Sequence, residues 1–244
     1  MGLLRVSGEM SCIILAGGRG TRFGHNKALE TVGCKSLLQR VVDELNFFDS
    51  SIIIVTSNEH SFLNQKSQPG LREATDIFPG KAALGGLYTG LVASNSFYNL
   101  VVACDMPFLN RKLLHYMLQC TESYDAVVPL PNDKVEPLHA VYAKSCIPKL
   151  ESLLMQRNLS IRNVFSMVRV RYIDDHEIDM FDPQRLSFFN VNTEAELDKA
   201  RELAGQREGH DPCQCGEIPC QHNARQTGSK RIEGRLPLPI QNKI

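Results

Sequence analysis

A chain of 244 residues that is 43% apolar and 22% charged holds enough apolar material for one well-packed domain and an appendage, which excludes a wholly disordered polymer. Lysine plus arginine balances aspartate plus glutamate at 27 each, so global charge draws the chain neither to nucleic acid nor to an anionic membrane. No apolar run is long enough to span a bilayer and no signal-type apolar segment precedes Glu9, so a cytoplasmic location is expected. Five cysteines (Cys12, Cys34, Cys104, Cys120, Cys146) are scattered through apparent strands and helices and read as buried thiols of a reducing compartment.

In chain order, residues 1–10 read as a short leader and Cys12 to Leu15 as a buried strand. The strand runs into Ala16-Gly17-Gly18-Arg19-Gly20, where three glycines let consecutive N–H groups form a concave anion nest. Thr21, Arg22 and Lys27 add a hydroxyl and two cations, the equipment of a phosphate-binding turn. The Walker spacing is excluded because His25 follows Gly24, and the dinucleotide fingerprint because its last glycine position holds Phe23. Ser36 to Phe48 has helical apolar spacing, and Ser51 to Thr56 is β-branched throughout its centre, as in a strand buried on both faces. Leu87 to Ser94 reads as helix, Asn99 to Cys104 as strand, and Arg111 to Gln119 as a helix capped by Asn110. Asp125 to Pro129 and Leu138 to Ala143 are strand-like, and Ser145 to Gln156 and Ser160 to Met167 helical. Val168 to Tyr172 is a strand, and Thr193 to Ala204 a helix with Thr193 as cap and Glu196 at the capping-box position. This alternation predicts a single doubly wound, mostly parallel α/β sheet of Rossmann-like form.

Residues 1–205 are expected to be the domain. Residues 206–244 lack periodic apolar content and read as a flexible tail. Cys213, Cys215, Cys220 and His222 in that tail have either the spacing of a tight zinc site or the character of loose thiols, and both readings stay open.

Ligands of open α/β sheets bind beyond the carboxyl ends of the strands. There the sequence places the glycine turn, Ser57 and Asn58, and Asp105. Asp105, at a strand end facing a phosphate nest, suits Mg²⁺, which takes one or two carboxylates plus phosphate oxygens; alternatively it turns the chain before Pro107. Asp76 has the carboxylate that the paired N1 and N2 donors of guanine require, with Gly85 and Gly86 leaving room for a flat base; alternatively it is a loop residue before Pro79-Gly80.

Leu15-Ala16-Gly17-Gly18, Arg22, Gly24 and Lys27 together spell L-A-G-G-x-x-x-R-x-G-x-x-K. This resembles the signature loop of nucleotidyltransferases, and within them is most similar to the MobA-like molybdenum cofactor guanylyltransferases, which usually have Met in place of Phe23. Asp76 to Gly86, DIFPGKAALGG, resembles the guanine segment of that family with one residue more before its glycine. The resemblance covers roughly Ser11 to Ala204. It implies that Leu15, Ala16, Gly17 and Gly18 line the nucleotide, that Asn58 and Asp76 hold its base and ribose end, and that Lys27 holds phosphate. Asp105 would carry Mg²⁺, with Arg22, Lys27 and Asp105 as the catalytic set. On the acceptor side, Pro137 to Tyr142, Asn158 to Arg162 and Phe189 to Thr193 resemble family segments, the last placing Asn190 and Asn192 against the pterin; helix entry and turn formation are their alternative roles.

The implied reaction moves GMP from GTP to the phosphate of molybdopterin and releases pyrophosphate. GTP and molybdopterin are then the small-molecule partners, with molybdoenzymes or their chaperones downstream and no role for nucleic acid or membrane. Leu15-Ala16-Gly17-Gly18 has two glycines where cytidylyltransferases of the superfamily read L-A-A-G, the difference falling at Gly17, and this together with Asp76 favours GTP. A CTP-dependent or sugar-phosphate nucleotidyltransferase and a non-catalytic GTP-binding module stay open beside it.

Overall fold

In the computed structural model, residues 10–17, 27–57 and 70–208 are described; Gly18, Arg22, Asn58, Cys213, Cys215, Cys220 and His222 lie outside them. The described strands are β1 (Ser11–Leu15), β2 (Thr31–Val32), β3 (Lys35–Ser36), β4 (Ser51–Thr56), β5 (Leu71–Thr75), β6 (Tyr98–Ala103), β7 (Ala126–Pro129), β8 (His139–Ala143) and β9 (Val170–Ile173). The α-helices are α1 (Leu37–Leu45), α2 (Ala82–Ala93), α3 (Arg111–Gln119), α4 (Ile147–Met155), α5 (Asp175–Phe181) and α6 (Glu194–Glu208).

Seven strands form one sheet in the order β5-β4-β1-β6-β8-β7-β9, and β2 with β3 makes a separate two-stranded ribbon. All pairings in the large sheet are parallel except the two made by β8. The mostly parallel α/β sheet expected from the sequence is therefore present. The reversal of β8 has a local cause: no α-helix stands between β7 and β8, so the chain returns directly to the same sheet.

Period-2 alternation sorts the sheet into two cores. Cys12, Ile14, Ile52, Ile54, Leu100 and Val102 face one way, with residues of α1, α3 and α5. Ile13, Leu15, Ile53, Val55 and Val101 face the other, with residues of α2 and α4. Each fully buried Ile or Leu contributes on the order of 1.5–3 kcal/mol. A third cluster joins Leu197, Ala200 and Ala204 of α6 to Val32, Leu37, Phe108 and Val191, which anchors the last helix against the ribbon.

Several boundaries differ from the sequence reading. α2 begins at Ala82, not Leu87, because its glycines serve packing: a Cβ at Gly90 would lie 2.5 Å from Ile13 Cγ2, and one at Gly85 would lie 2.7 Å from the Phe78 carbonyl oxygen. The room beside Gly85 is thus used by the protein's own backbone and not left for a base. β5 and α5 have no counterpart in the sequence reading. β5 (LREAT) is polar for a strand and forms by pairing with β4 from Ile52↔Leu71 to Thr56↔Thr75. α5 is set by an Asp174–Glu177 capping box. Residues Ile161–Ser166 form 3₁₀ turns, and α6 continues past Ala204, across Gly205 and on through the better helix formers Gln206 and Arg207, to Glu208. Cys12, Cys104 and Cys146 are buried thiols as expected, but Cys34 is exposed in the β2–β3 turn and is disulfide-bonded.

Candidate active site

The carboxyl ends of β5, β4, β1 and β6 lie side by side because their parallel registers bring Thr75, Thr56, Leu15 and Ala103 to one rim. Backbone bonds fasten the rim: the Ala16 N–H donates to Val55 O at 2.9 Å, Cys104 N–H to Leu15 O at 3.2 Å, and Asp76 N–H to Thr56 O at 2.8 Å. Leu15 and Ala16 are buried, and Gly17 is exposed at the mouth. A Cβ on Gly17 would stand 3.2 Å from the Ser57 nitrogen, closer than neighbouring strand ends comfortably allow.

At the centre of the rim three residues distant in sequence meet. Lys27, which opens a 3₁₀ turn, places Nζ 2.5 Å from Asp105 Oδ2 and 2.9 Å from Asn192 Oδ1. The carbonyl of Asp105 accepts from the Val191 N–H at 3.0 Å, so the segment before α6 is tied to the end of β6. Glu196 completes the arrangement. Its N–H donates to Thr193 Oγ1 at 3.2 Å and its Oε2 accepts from the Asn192 N–H at 2.7 Å. The expected capping residues are therefore in place, but the returning bond reaches Asn192, which fixes the backbone from which that amide meets Lys27.

Lys27 and Asp105 are mostly buried, with side-chain exposures of 18% and 17%. The Coulombic gain of such a pair is largely offset by desolvation, but removing either member leaves the other charge poorly compensated. Asp105 Oδ1 is buried and has no hydrogen-bond partner among the described residues. A buried carboxylate oxygen with an unused lone pair suits a divalent cation. No group of three or more His, Cys, Asp or Glu that could hold a metal occurs among the described residues. A site with a single carboxylate matches the habit of Mg²⁺, which takes one or two carboxylates and completes its shell with water and phosphate oxygens.

Asp76 stands beyond β5, on the opposite side of β1 from Asp105. Its Oδ1 accepts from the Phe78 N–H at 2.9 Å and from Thr89 Oγ1 at 3.1 Å, and Thr89 Oγ1 accepts from the Ile77 N–H at 2.9 Å. Oδ1 is thus engaged inside the protein and Oδ2 is the oxygen left for a ligand. Thr89, buried on α2, buttresses Asp76; the sequence carries no signal for this partnership.

The other half of the rim is built from loops. β7 runs parallel to β9 and antiparallel to β8, so residues 130–138 emerge beside the end of β6, where the Ala103 N–H donates to Leu138 O at 3.0 Å. Residues 131–136 face residues 184–189 across a cleft of about 400 Å³ whose lining includes Glu136, Phe188 and Phe189. Burial raises the Glu136 carboxyl above its usual range, helped by the negative charge of Asp105, while the Leu138 N–H and the charge of Arg162 act the other way. His139 is fully buried with neither ring nitrogen hydrogen-bonded, its ring centroid 5.0 Å from that of Phe188, and burial pushes its pKa down to about 3. Asn190 is half-buried, and its Nδ2 donates to the Phe188 carbonyl at 3.2 Å.

The structure thus brings Lys27, Asp105 and Asn192 into contact, sets Leu15, Ala16, Gly17 and Asp76 along the same rim, and gives Asn190 a local backbone partner. Glu136 and its cleft escaped the sequence reading, because one glutamate in a polar loop carries no pattern.

A family profile described as "MobA-like NTP transferase domain" matches residues 12–172. A protein of Pelotomaculum thermopropionicum named a probable molybdenum cofactor guanylyltransferase is 36% identical over 192 residues, covering 79% of this chain and 92% of the relative. A molybdenum cofactor guanylyltransferase of Desulfosudis oleivorans is 34% identical over 77% of this chain and 92% of its own length. The crystal structure of molybdopterin-guanine dinucleotide biosynthesis protein A from Archaeoglobus fulgidus superposes with a TM-score of 0.70 at 27% identity, covering 80% of this chain and 99% of that one.

Proposed function

The chain belongs to the MobA-like NTP transferase family, and from that premise we propose that it transfers GMP from GTP to the terminal phosphate of molybdopterin. A phosphate oxygen of the acceptor attacks the α-phosphorus of GTP in line. The new O–P bond forms as the bond to the β-phosphate oxygen breaks, and pyrophosphate leaves with the electron pair. The protein's part in such a transfer is positioning and neutralisation of developing charge. Lys27 serves it from between the two halves of the rim: its ammonium is held by Asp105 from one side and Asn192 from the other. Leu15, Ala16 and Gly17 carry the nucleotide, Asp76 offers Oδ2 to the guanine edge, and Asn192 lies on the acceptor side. Arg22, Gly18 and Asn58 are assigned to the same nucleotide end by their positions in the signature loop and after β4. Mg²⁺ is the proposed metal, held by Asp105, and supplies charge neutralisation at the phosphates.

The observation that carries this reading is the Lys27–Asp105–Asn192 contact beside the buried, unpaired Asp105 Oδ1. The test incubates the protein with Mg²⁺, a molybdopterin acceptor and each nucleoside triphosphate in turn, and measures pyrophosphate release. Release with GTP well above that with CTP is the expected result. Equal turnover with CTP removes the guanine assignment, and tight GTP binding without any turnover favours a binding module.

A further inference from the structure

The cleft between residues 131–136 and 184–189 has features of a built site. Arg185 ties its two walls, donating to Asn132 Oδ1 at 2.8 Å while paired with Asp175 at 2.7 Å and Asp179 at 2.8 Å. Asn132, Asp133 and Arg185 all adopt left-handed backbone, with φ of 51°, 59° and 53°. Asparagine and aspartate adopt this backbone readily, whereas for Arg185 it is uncommon and persists because its surroundings enforce it. Two phenylalanines give the cleft apolar surface, and Glu136 gives it a half-buried carboxylate. That carboxylate forms no ion pair among the described residues, and its Oε1 accepts only a long 3.4 Å bond from the Leu138 N–H. A sheltered carboxylate in that condition is costly until a donor-bearing ligand meets it.

The position is informative as well. Residues 130–138 adjoin the end of β6, and the Val191 N–H binds the Asp105 carbonyl, so both walls of the cleft continue along the chain to the strand end that carries Asp105. In the strand order, β5 and β8 are four strand spacings apart, or roughly 19 Å. Asp76 and Glu136 therefore stand on opposite sides of the reacting centre. A pterin, like guanine, presents an amino group and an adjacent ring N–H as paired donors, which is the edge a carboxylate accepts with two parallel hydrogen bonds.

We infer that this cleft takes the pterin ring of the acceptor and that Glu136 is the residue that selects it, accepting from the 2-amino group and the neighbouring ring N–H; this rests on the guanylyl transfer proposed above. Phe188 and Phe189 supply apolar surface for the flat ring, and the arm of the molecule bearing the phosphate extends toward Lys27.

The test uses the full chain and two fluorescent probes, pterin and lumazine, which differ in that lumazine has an oxygen in place of the 2-amino group. Fluorescence titration is expected to show about tenfold tighter binding of the pterin, the worth of one well-made hydrogen bond to a charged group. Glu136→Gln should erase that preference, and Glu136→Asp should keep its direction, with GTP affinity and the thermal midpoint verifying the fold of each variant. Equal binding of the two probes by the unaltered protein, or a preference that survives Glu136→Gln, overturns the assignment. Loss of guanylyl transfer with pterin preference intact sinks the proposed reaction and leaves Glu136 as a pterin reader. Transfer with an unchanged acceptor KM in Glu136→Gln does the reverse.

Discussion

The two ends of the rim are built in different ways. At the end proposed for the nucleotide, β5, β4 and β1 stop together in parallel register; Asp76 and Ser57 follow directly from β5 and β4, and Gly17 stands one residue further from β1. At the end proposed for the acceptor, the rim is made by the loop before the antiparallel β8 and by a segment returning from α5, held together through Arg185 and the Asp105–Val191 bond. Parallel strand ends are set by the sheet itself, so a residue one step past a strand has a determined place. A loop wall has its place only through contacts made far along the chain. Lys27, Asp105 and Asn192 join the two constructions.

Breaking that junction should produce the largest effects. Asp105→Ala, which removes the proposed metal carboxylate and the partner of Lys27, is expected to lower Mg²⁺-dependent pyrophosphate release by about a hundredfold or more. Near-normal activity would take Asp105 out of the chemistry. Lys27→Ala should come close, at about a hundredfold, with both GTP and acceptor kinetics damaged because the ammonium serves both halves.

Smaller effects should separate the halves. Asn192→Ala is expected to cost about tenfold in kcat/KM for the acceptor, roughly one charge-assisted hydrogen bond, with little change in KM for GTP. Asn190→Ala should cost less, since that amide already serves the Phe188 carbonyl; a larger loss for Asn190 than for Asn192 would reverse their assignments. Asp76→Ala should act on the opposite end, shrinking the preference for GTP over CTP by about tenfold. It should also lower stability by about 1–2 kcal/mol, because the Phe78 N–H and Thr89 hydroxyl lose their acceptor.

A further effect touches stability alone and leaves the chemistry unaltered. His139 is neutral in the fold, with a pKa near 3 against an ordinary value of 6.5. The unfolded chain therefore binds the extra proton first as pH falls. The stability associated with neutral His139 is complete above about pH 6.5 and is lost progressively between that value and pH 3. At pH 5 the loss is about 2 kcal/mol. Urea unfolding at pH 7.5 and pH 5 should show a steeper decline for the unaltered protein than for His139→Leu, and equal slopes would show that the imidazole escapes burial.

The sequence was most readable where local pattern and final place coincide. The β-branched core of SIIIVT, the apolar run Cys12 to Leu15 and the Asn110 cap each announce themselves within a few residues, and the first two are the strands β4 and β1 that end on the rim. Asp105 was legible because it stands just past the end of the apolar strand β6. Three features were not. β5 is too polar to read as a strand and exists through its pairing with β4. Gly85 and Gly86 look like loop residues until the Phe78 carbonyl and the Leu15 side chain are seen against them. Glu136 matters only because Arg185, some fifty positions downstream, ties the opposite wall to Asn132. Long-range contacts of this kind leave no periodic trace.

The reversed direction of β8 has an evolutionary consequence. A strand that enters the sheet from the working edge brings the connection preceding it to that edge, and this connection can change length or composition without shifting any parallel strand. On the proposed function, acceptor preference then resides in a connection separate from the parallel strands that carry the nucleotide. Exchanging residues 130–138 between relatives should retune what receives the nucleotide while leaving intact which nucleotide is given.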